Sequence, residues 1–184
     1  MTDRPRLAVI VYGSFLHPDD LAELFDDVPS RVVPVEVRGF GRLFNQEASW
    51  RETNGDRKAV LNVTPASDEW FNGILVVDLS REEFREFRER ERGYRLIEVG
   101  FDAIESYDRS TIETDLTVDE PNIESQDLVL TTTGLKTRNS IDPIDSYVDL
   151  CYDGASQWGA EFLHDFLRTT KLSTGESLES YVSE

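Results

Sequence analysis

Apolar residues fall in short β-type runs along the first two-thirds of the chain and in a helical stripe after that. The first run, Leu7-Ala8-Val9-Ile10-Val11, is continuous and rich in β-branched residues, as a strand buried on both faces requires. It stops at Tyr12-Gly13-Ser14-Phe15. Asp19 or Asp20 can cap a short helix through Leu21, Leu24 and Phe25. Val32 to Val37 resumes strand character, followed by Gly39-Phe40-Gly41-Arg42-Leu43-Phe44-Asn45. The polar segment from Gln46 to Lys58 contains Asn54-Gly55, a turn signal. Ala59–Val63 and Gly73–Val77 read as two further strands joined by a turn at Pro65-Ala66-Ser67-Asp68. Ser80-Arg81-Glu82-Glu83 has the pattern of a capping box, so a helix starts there. It ends at about Gly93, a residue suited to the position just past a helix. Tyr94 to Val99 reads as a strand, and weaker alternation continues to about Val118. From 147 onward Trp158, Phe162 and Phe166, with Leu163 and Leu167, mark one apolar helical face.

This order predicts an α+β fold: a small mixed β-barrel with flanking helices and a C-terminal helix. The core is expected over residues 1–118. Residues 119–146, rich in Asp, Asn, Ser, Thr and Pro, are expected to be a polar loop, a lid or plain surface, with one strand near Asp127–Leu130. Residues 147–184 form a helical extension packed on the core, the whole being a single domain. At 184 residues the chain can bury a sizeable core.

Charge adds a second layer. There are 37 acidic and 19 basic residues, giving a formal net charge of −18, and only Lys58, Lys136 and Lys171 are lysines. The acids are spread along the whole chain, which points to adaptation to a high-salt cytoplasm, where screening relieves self-repulsion. An acidic protein from an ordinary cytoplasm is the other reading. Stability in an unfolding titration is expected to rise with KCl, and a flat response would sink the halophilic one. Such an acidic chain lacks the basic face that nucleic-acid phosphates require. No apolar run is long enough to span a bilayer, and the N-terminus lacks the apolar region of a signal peptide. The single Cys151 excludes an internal disulfide framework. Together these predict a soluble cytoplasmic protein with neither nucleic-acid nor membrane partners.

Two features carry candidate chemistry. A buried strand that ends in a glycine turn brings backbone N–H groups to the edge of a core, where they suit a carboxylate or an oxyanion. An ordinary strand-to-loop turn is the simpler reading of Tyr12–Phe15. The other feature is Glu91. At about 100° per residue, Phe84 and Phe87 lie roughly 60° apart on the helix and Glu91 projects between them, while Glu82, Glu86 and Glu89 point away. A carboxylate on the core side has its pKa raised by desolvation, as a general acid/base near neutrality needs. Alternatively Glu91 pairs with an arginine at a frayed helix end, or faces solvent. Other constellations are weaker. Gly39-Phe40-Gly41 lacks the third glycine of a dinucleotide fingerprint, and no P-loop is present. His17 and His164 have no partners at metal-ligand spacing. A triad of Ser14 with His164 lacks the nucleophile-elbow sequence. Cys151 reads as a packed thiol.

Four segments in order resemble the γ-glutamylcyclotransferase-like family, which includes AIG2-like and ChaC-like proteins. They are the strand ending in Tyr12-Gly13-Ser14-Phe15, the stretch Gly39-Phe40-Gly41-Arg42-Leu43-Phe44-Asn45, the strand Gly73-Ile74-Leu75-Val76-Val77, and the helix end Arg90-Glu91-Arg92-Gly93-Tyr94. The resemblance covers roughly residues 7–105, and Gly159–Thr170 is similar to the C-terminal helix of some members. It implies a transferase-type enzyme of the cytoplasm that needs no metal or other cofactor. Its partner would be a small γ-glutamyl amino acid, peptide or amine, converted to 5-oxoproline by intramolecular aminolysis. Glu91 would be the general acid/base. Tyr12, Gly13, Ser14 and Phe15 would bind the γ-glutamyl group, with Tyr94 either lining the pocket or packing within it. The alternative is a non-catalytic member of the same fold that binds ligands or proteins. Phe15 departs from the more usual Leu or Asn of the family. Arg42 either contacts a substrate carboxylate or braces acidic helices.

Overall fold

The computed structural model describes residues 4–48, 57–112 and 122–184. The Asn54-Gly55 turn and the weak alternation over 113–118 lie outside the described residues. The first apolar run is a strand, β1 (Leu7–Val11), and three of the first strands build the centre of a mixed sheet. After β1 come two short helices, α1 (Pro18–Leu24) and α2 (Val28–Arg31), then the long strands β2 (Val32–Glu47) and β3 (Ala59–Val76). The helix α3 (Arg81–Arg90) leads into β4 (Tyr94–Glu98) and the short β5 (Ile104–Ser106). Then follow β6 (Leu128–Gly134), α4 (Asp145–Ser156), α5 (Ala160–Thr169), β7 (Thr170–Leu172) and α6 (Leu178–Val182).

The sheet order is β4-β6-β1-β3-β2-β5, with β7 added to β2. β1 lies antiparallel to β3, with Val9 opposite Val76, and parallel to β6, with Val9 opposite Leu130. Covered on both sides, its residues Ala8, Val9 and Ile10 are fully buried, as the unbroken apolar run requires. No ladder joins β4 to β5 among the described residues, so the sheet is open rather than a closed barrel. It curls without sealing: Gln46 near the end of β2 forms an isolated bridge with Thr137, just past β6.

Several expectations are corrected. Ala59–Val63 and Gly73–Val76 belong to one 18-residue strand, with Val77 just past its end, and no turn interrupts it at Pro65–Asp68. Pro65 pairs with Phe40 of β2 across a register shift. β1 covers β3 only over Ile74–Val76, so the middle of the strand runs past the core and carries the exposed polar residues that mimic a turn. Val32–Val37 and Gly39–Asn45 are likewise one strand, bulged at Gly39, which has φ of +86°. The cap of α1 is His17, whose Nδ1 accepts from the Asp19 N–H, rather than an aspartate. α3 ends at Glu91, two residues before the expected glycine. The strand expected near Asp127–Leu130 is present but longer: β6 runs on through Thr131–Gly134, expected to be loop, and sits inside the sheet between β4 and β1.

The predicted capping box is present in full. The Ser80 side chain accepts from the Glu83 N–H, and the Glu83 carboxylate accepts from the Ser80 N–H. Phe162 and Phe166 of α5 are completely buried, as the helical stripe predicts, whereas Trp158, equally buried, lies in the turn between α4 and α5 instead of on that face. Among the described residues no helix is long and apolar enough to cross a membrane.

Candidate active site

The end of β1 opens into a cavity of about 340 Å³. Its lining includes Tyr12, Gly13, Ser14, Phe15, Glu91 and Tyr94, so the fold brings all six predicted site residues to one space. They arrive from different elements: the turn after β1, the C-terminal cap of α3, and the first residue of β4. Thr132 of β6, Leu61 of β3 and Tyr147 of α4 also line it, as do the charged residues Asp20 and Arg90.

The turn is shaped by close packing from the C-terminal part of the chain. A Cβ at Gly13 would sit 2.6 Å from the Tyr147 hydroxyl, and one at Gly154 would sit 2.7 Å from the His17 amide. Both glycines thus allow α4 to close directly against residues 13–17. Trp158 fixes the far side, its indole N–H donating to the Leu16 carbonyl at 2.7 Å. After Gly13 the chain makes one 3-10 turn, Ser14–Leu16, closed by the Leu16 N–H on the Gly13 carbonyl. The Ser14 and Phe15 N–H groups precede that bond and have no intrahelical partner.

Glu91 is the chemically distinctive group. Its carboxylate makes no hydrogen bond or ion pair with a described residue. It reaches solvent only in part, through the cavity. Burial alone pushes its pKa from 4.5 up to about 7. Glu83, two turns earlier on the same helix, shows the opposite outcome. Burial works against its charge too, yet Arg31 bonds both of its oxygens, at 2.7 and 3.0 Å, and the Ser80 and Asp26 N–H groups donate to it. These hold Glu83 at about 2. One helix therefore carries one carboxylate locked as a structural anion and one left poised near neutrality.

Three tyrosines surround Glu91. Burial raises the phenols of Tyr12, Tyr94 and Tyr147, and the Glu91 charge raises each further. They stay protonated at neutral pH. Tyr12 donates to the Thr132 carbonyl at 2.9 Å and Tyr94 to the Leu61 carbonyl at 2.7 Å. Tyr94 thus lines the cavity and is tied to its wall at once.

The other candidates fall elsewhere. Arg42 is fully buried and is not part of the cavity lining. It braces, as one reading expected, but on neutral oxygens of β3 and α5 instead of acidic helices. His164 is exposed on α5, so no triad with Ser14 forms. Cys151 is a buried thiol. Tyr147 and Thr132 were invisible to sequence reasoning because the turn they contact, at Tyr12 and Gly13, lies more than a hundred residues away. Glu83 was signalled by the capping box, which explains its burial.

No protein-family model and no curated protein matches the sequence. Solved structures do match in fold. A γ-glutamyl cyclotransferase superposes with a TM-score of 0.59 at 12% identity, over 88% of this chain and 86% of its own. An uncharacterized Homo sapiens protein matches with a TM-score of 0.59 at 12% identity, over 89% and 87%. A yeast γ-glutamyl cyclotransferase specific to glutathione matches with a TM-score of 0.51 at 16% identity, over 98% and 88%. The chain shares their fold.

Proposed function

We propose that the protein is a γ-glutamyl cyclotransferase, releasing 5-oxoproline from a γ-glutamyl amino acid, peptide or amine. The observation that carries this reading is Glu91: an unpaired carboxylate, poised at about 7, in the same cavity as the turn Tyr12–Phe15. The γ-glutamyl group binds against that turn. Glu91 takes a proton from the substrate's α-ammonium, and the freed amine attacks the γ-carbonyl carbon. The five-membered ring supplies the proximity of the two reacting groups. Charge that develops on the carbonyl oxygen is met by the Ser14 and Phe15 N–H groups. Collapse of the tetrahedral intermediate breaks the γ-amide bond as Glu91 returns its proton to the leaving amine, and the second proton on the attacking nitrogen follows to the departing amine, which leaves as an ammonium.

The test is 5-oxoproline release from a panel of γ-glutamyl amino acids, peptides and amines, measured in molar salt. Release from at least one is expected, and silence across the panel overturns the reading in favour of a binding protein. Because free Glu91 must be ionised to accept the proton, kcat/KM is expected to rise with pH and level off above about 7. A rising limb centred near 4.5 instead would remove Glu91 from the role of base.

A further inference from the structure

The turn at the cavity is also held from a side that the cavity does not reach. Arg42 of β2 is fully buried and does not line the cavity, yet its Nη1 donates to the Tyr12 carbonyl at 3.3 Å. The Tyr12 phenol is fixed as well, donating to the Thr132 carbonyl of β6 at 2.9 Å. With its carbonyl and its side chain both tied, Tyr12 leaves the peptide that follows it little freedom. That peptide is trans, so its N–H points opposite to its C=O. The carbonyl is aimed at Arg42, and the Gly13 N–H is therefore aimed away from Arg42. Gly13 itself lines the cavity, and no described residue accepts from its N–H.

The charge on Arg42 calls for a reason beyond bracing. Its other acceptors are the Thr170 and Thr169 hydroxyls, the Asn72 backbone and side-chain oxygens and the Phe166 carbonyl. All are neutral, and a buried cation without a counter-charge costs folding free energy. The carbonyl end of α5 offsets part of that cost. A brace as such needs hydrogen-bond donors and not a net charge. What the charge adds is polarisation. A cation bonded to a carbonyl polarises the whole peptide, and the N–H on its far side becomes a stronger donor. In a buried site water does not screen that effect.

We propose that Arg42 is a positioning residue of the reaction: it holds the Tyr12–Gly13 peptide with the Gly13 N–H facing the cavity and strengthens that N–H as a donor to the charge developing on the γ-carbonyl oxygen. The inference rests on the cyclisation reading above and adds Gly13 to the Ser14 and Phe15 N–H groups. The γ-carbonyl oxygen gains most of its negative charge in the transition state, so the contribution is made there and not in the bound substrate. It therefore appears in kcat more than in KM.

The test combines one measurement on wild type with two variants. The ring carbonyl of 5-oxoproline is the former γ-carbonyl. When 5-oxoproline is titrated into isotope-labelled wild type and followed by amide NMR, the Gly13 amide proton is expected to move downfield with those of Ser14 and Phe15. A Gly13 amide that stays in place overturns the inference. Arg42→Gln removes the charge, and Asn72→Asp sets an anion against the guanidinium while keeping Arg42. Each is expected to lower kcat, counted per folded molecule, by about 10–100-fold, with KM changed by less than about threefold. A loss that vanishes once the folded fraction is counted, or a KM that rises as far as kcat falls, reduces Arg42 to a brace and leaves cyclisation standing. Silence of wild type across the substrate panel overturns the cyclisation reading itself, and the role of Arg42 falls with it.

Discussion

Glu91→Gln is expected to lose about 10²–10⁴-fold in kcat for 5-oxoproline release and, at the same time, to make the protein more stable at pH 8. Both effects have one origin. The cavity strips water from the carboxylate, and no described cation or donor pairs with it in return, so ionised Glu91 costs folding free energy. Its pKa is about 7 folded against an ordinary 4.5. Below about 4.5 the group is protonated in both states and costs nothing. As pH rises towards 7 the unfolded chain ionises first, and stability falls. The gap corresponds to at most ~3 kcal/mol, reduced to about 1–2 kcal/mol because the carboxyl reaches solvent through the cavity. Glutamine carries no charge and escapes that cost. Urea unfolding should therefore show the variant more stable at pH 8 and the difference nearly gone at pH 4. Equal turnover by the variant would end the catalytic assignment. Lower stability at pH 8 would show that Glu91 has a stabilising partner after all.

Arg42→Ala is expected to cost about 3–5 kcal/mol. The guanidinium is fully buried and has no carboxylate partner among the described residues. It is held by the Thr170 hydroxyl at 2.7 Å, the Asn72 carbonyl at 2.6 Å, the Asn72 side-chain oxygen at 2.8 Å and the Thr169 hydroxyl at 3.1 Å. The Phe166 carbonyl accepts at 3.3 Å and the Phe166 ring lies 4.2 Å away. These groups include the last turn of α5, whose unpaired carbonyls carry the negative end of the helix. Burial lowers the Arg42 pKa to about 9, which still leaves it charged at neutral pH. One further bond, to the Tyr12 carbonyl at 3.3 Å, ties this brace to the turn at the cavity. Arg42→Lys should recover only part of the loss, since a single ammonium cannot reproduce the forked donors. Chemical denaturation measures both, and a loss below about 1 kcal/mol for alanine would mean that the network is replaceable by water.

The two leading features were legible in the chain because each is local. An unbroken apolar run requires burial on both faces, and the structure places β1 between two neighbours in the sheet. Helical periodicity alone puts Glu91 on the face of Phe87, and the capping box sets where that helix begins. Local patterns failed where a strand leaves the core. Pro65 to Asp68 carries turn residues where the register between β2 and β3 shifts: Pro65 pairs with Phe40, while Ala66, Ser67 and Asp68 have no partner in β2. The Asp, Asn, Ser and Thr content of 119–146 likewise concealed the second half of β6, whose Thr131, Thr132 and Thr133 are buried. Threonine is both a loop residue by composition and a strand former by shape.

By itself, then, the sequence determined the strand, the turn that ends it and the side of α3 on which one carboxylate stands, since those follow from spacing along a few residues. Only the tertiary structure decided that the turn and the carboxylate share a cavity. Tyr147 and Gly154 of α4 press the turn into shape from more than 130 positions away. Arg31 neutralises Glu83 while no described cation reaches Glu91. Desolvation and charge pairing depend on what surrounds a group in space, so whether a glutamate becomes an anchor or a base is settled by packing and not by its position on a helix.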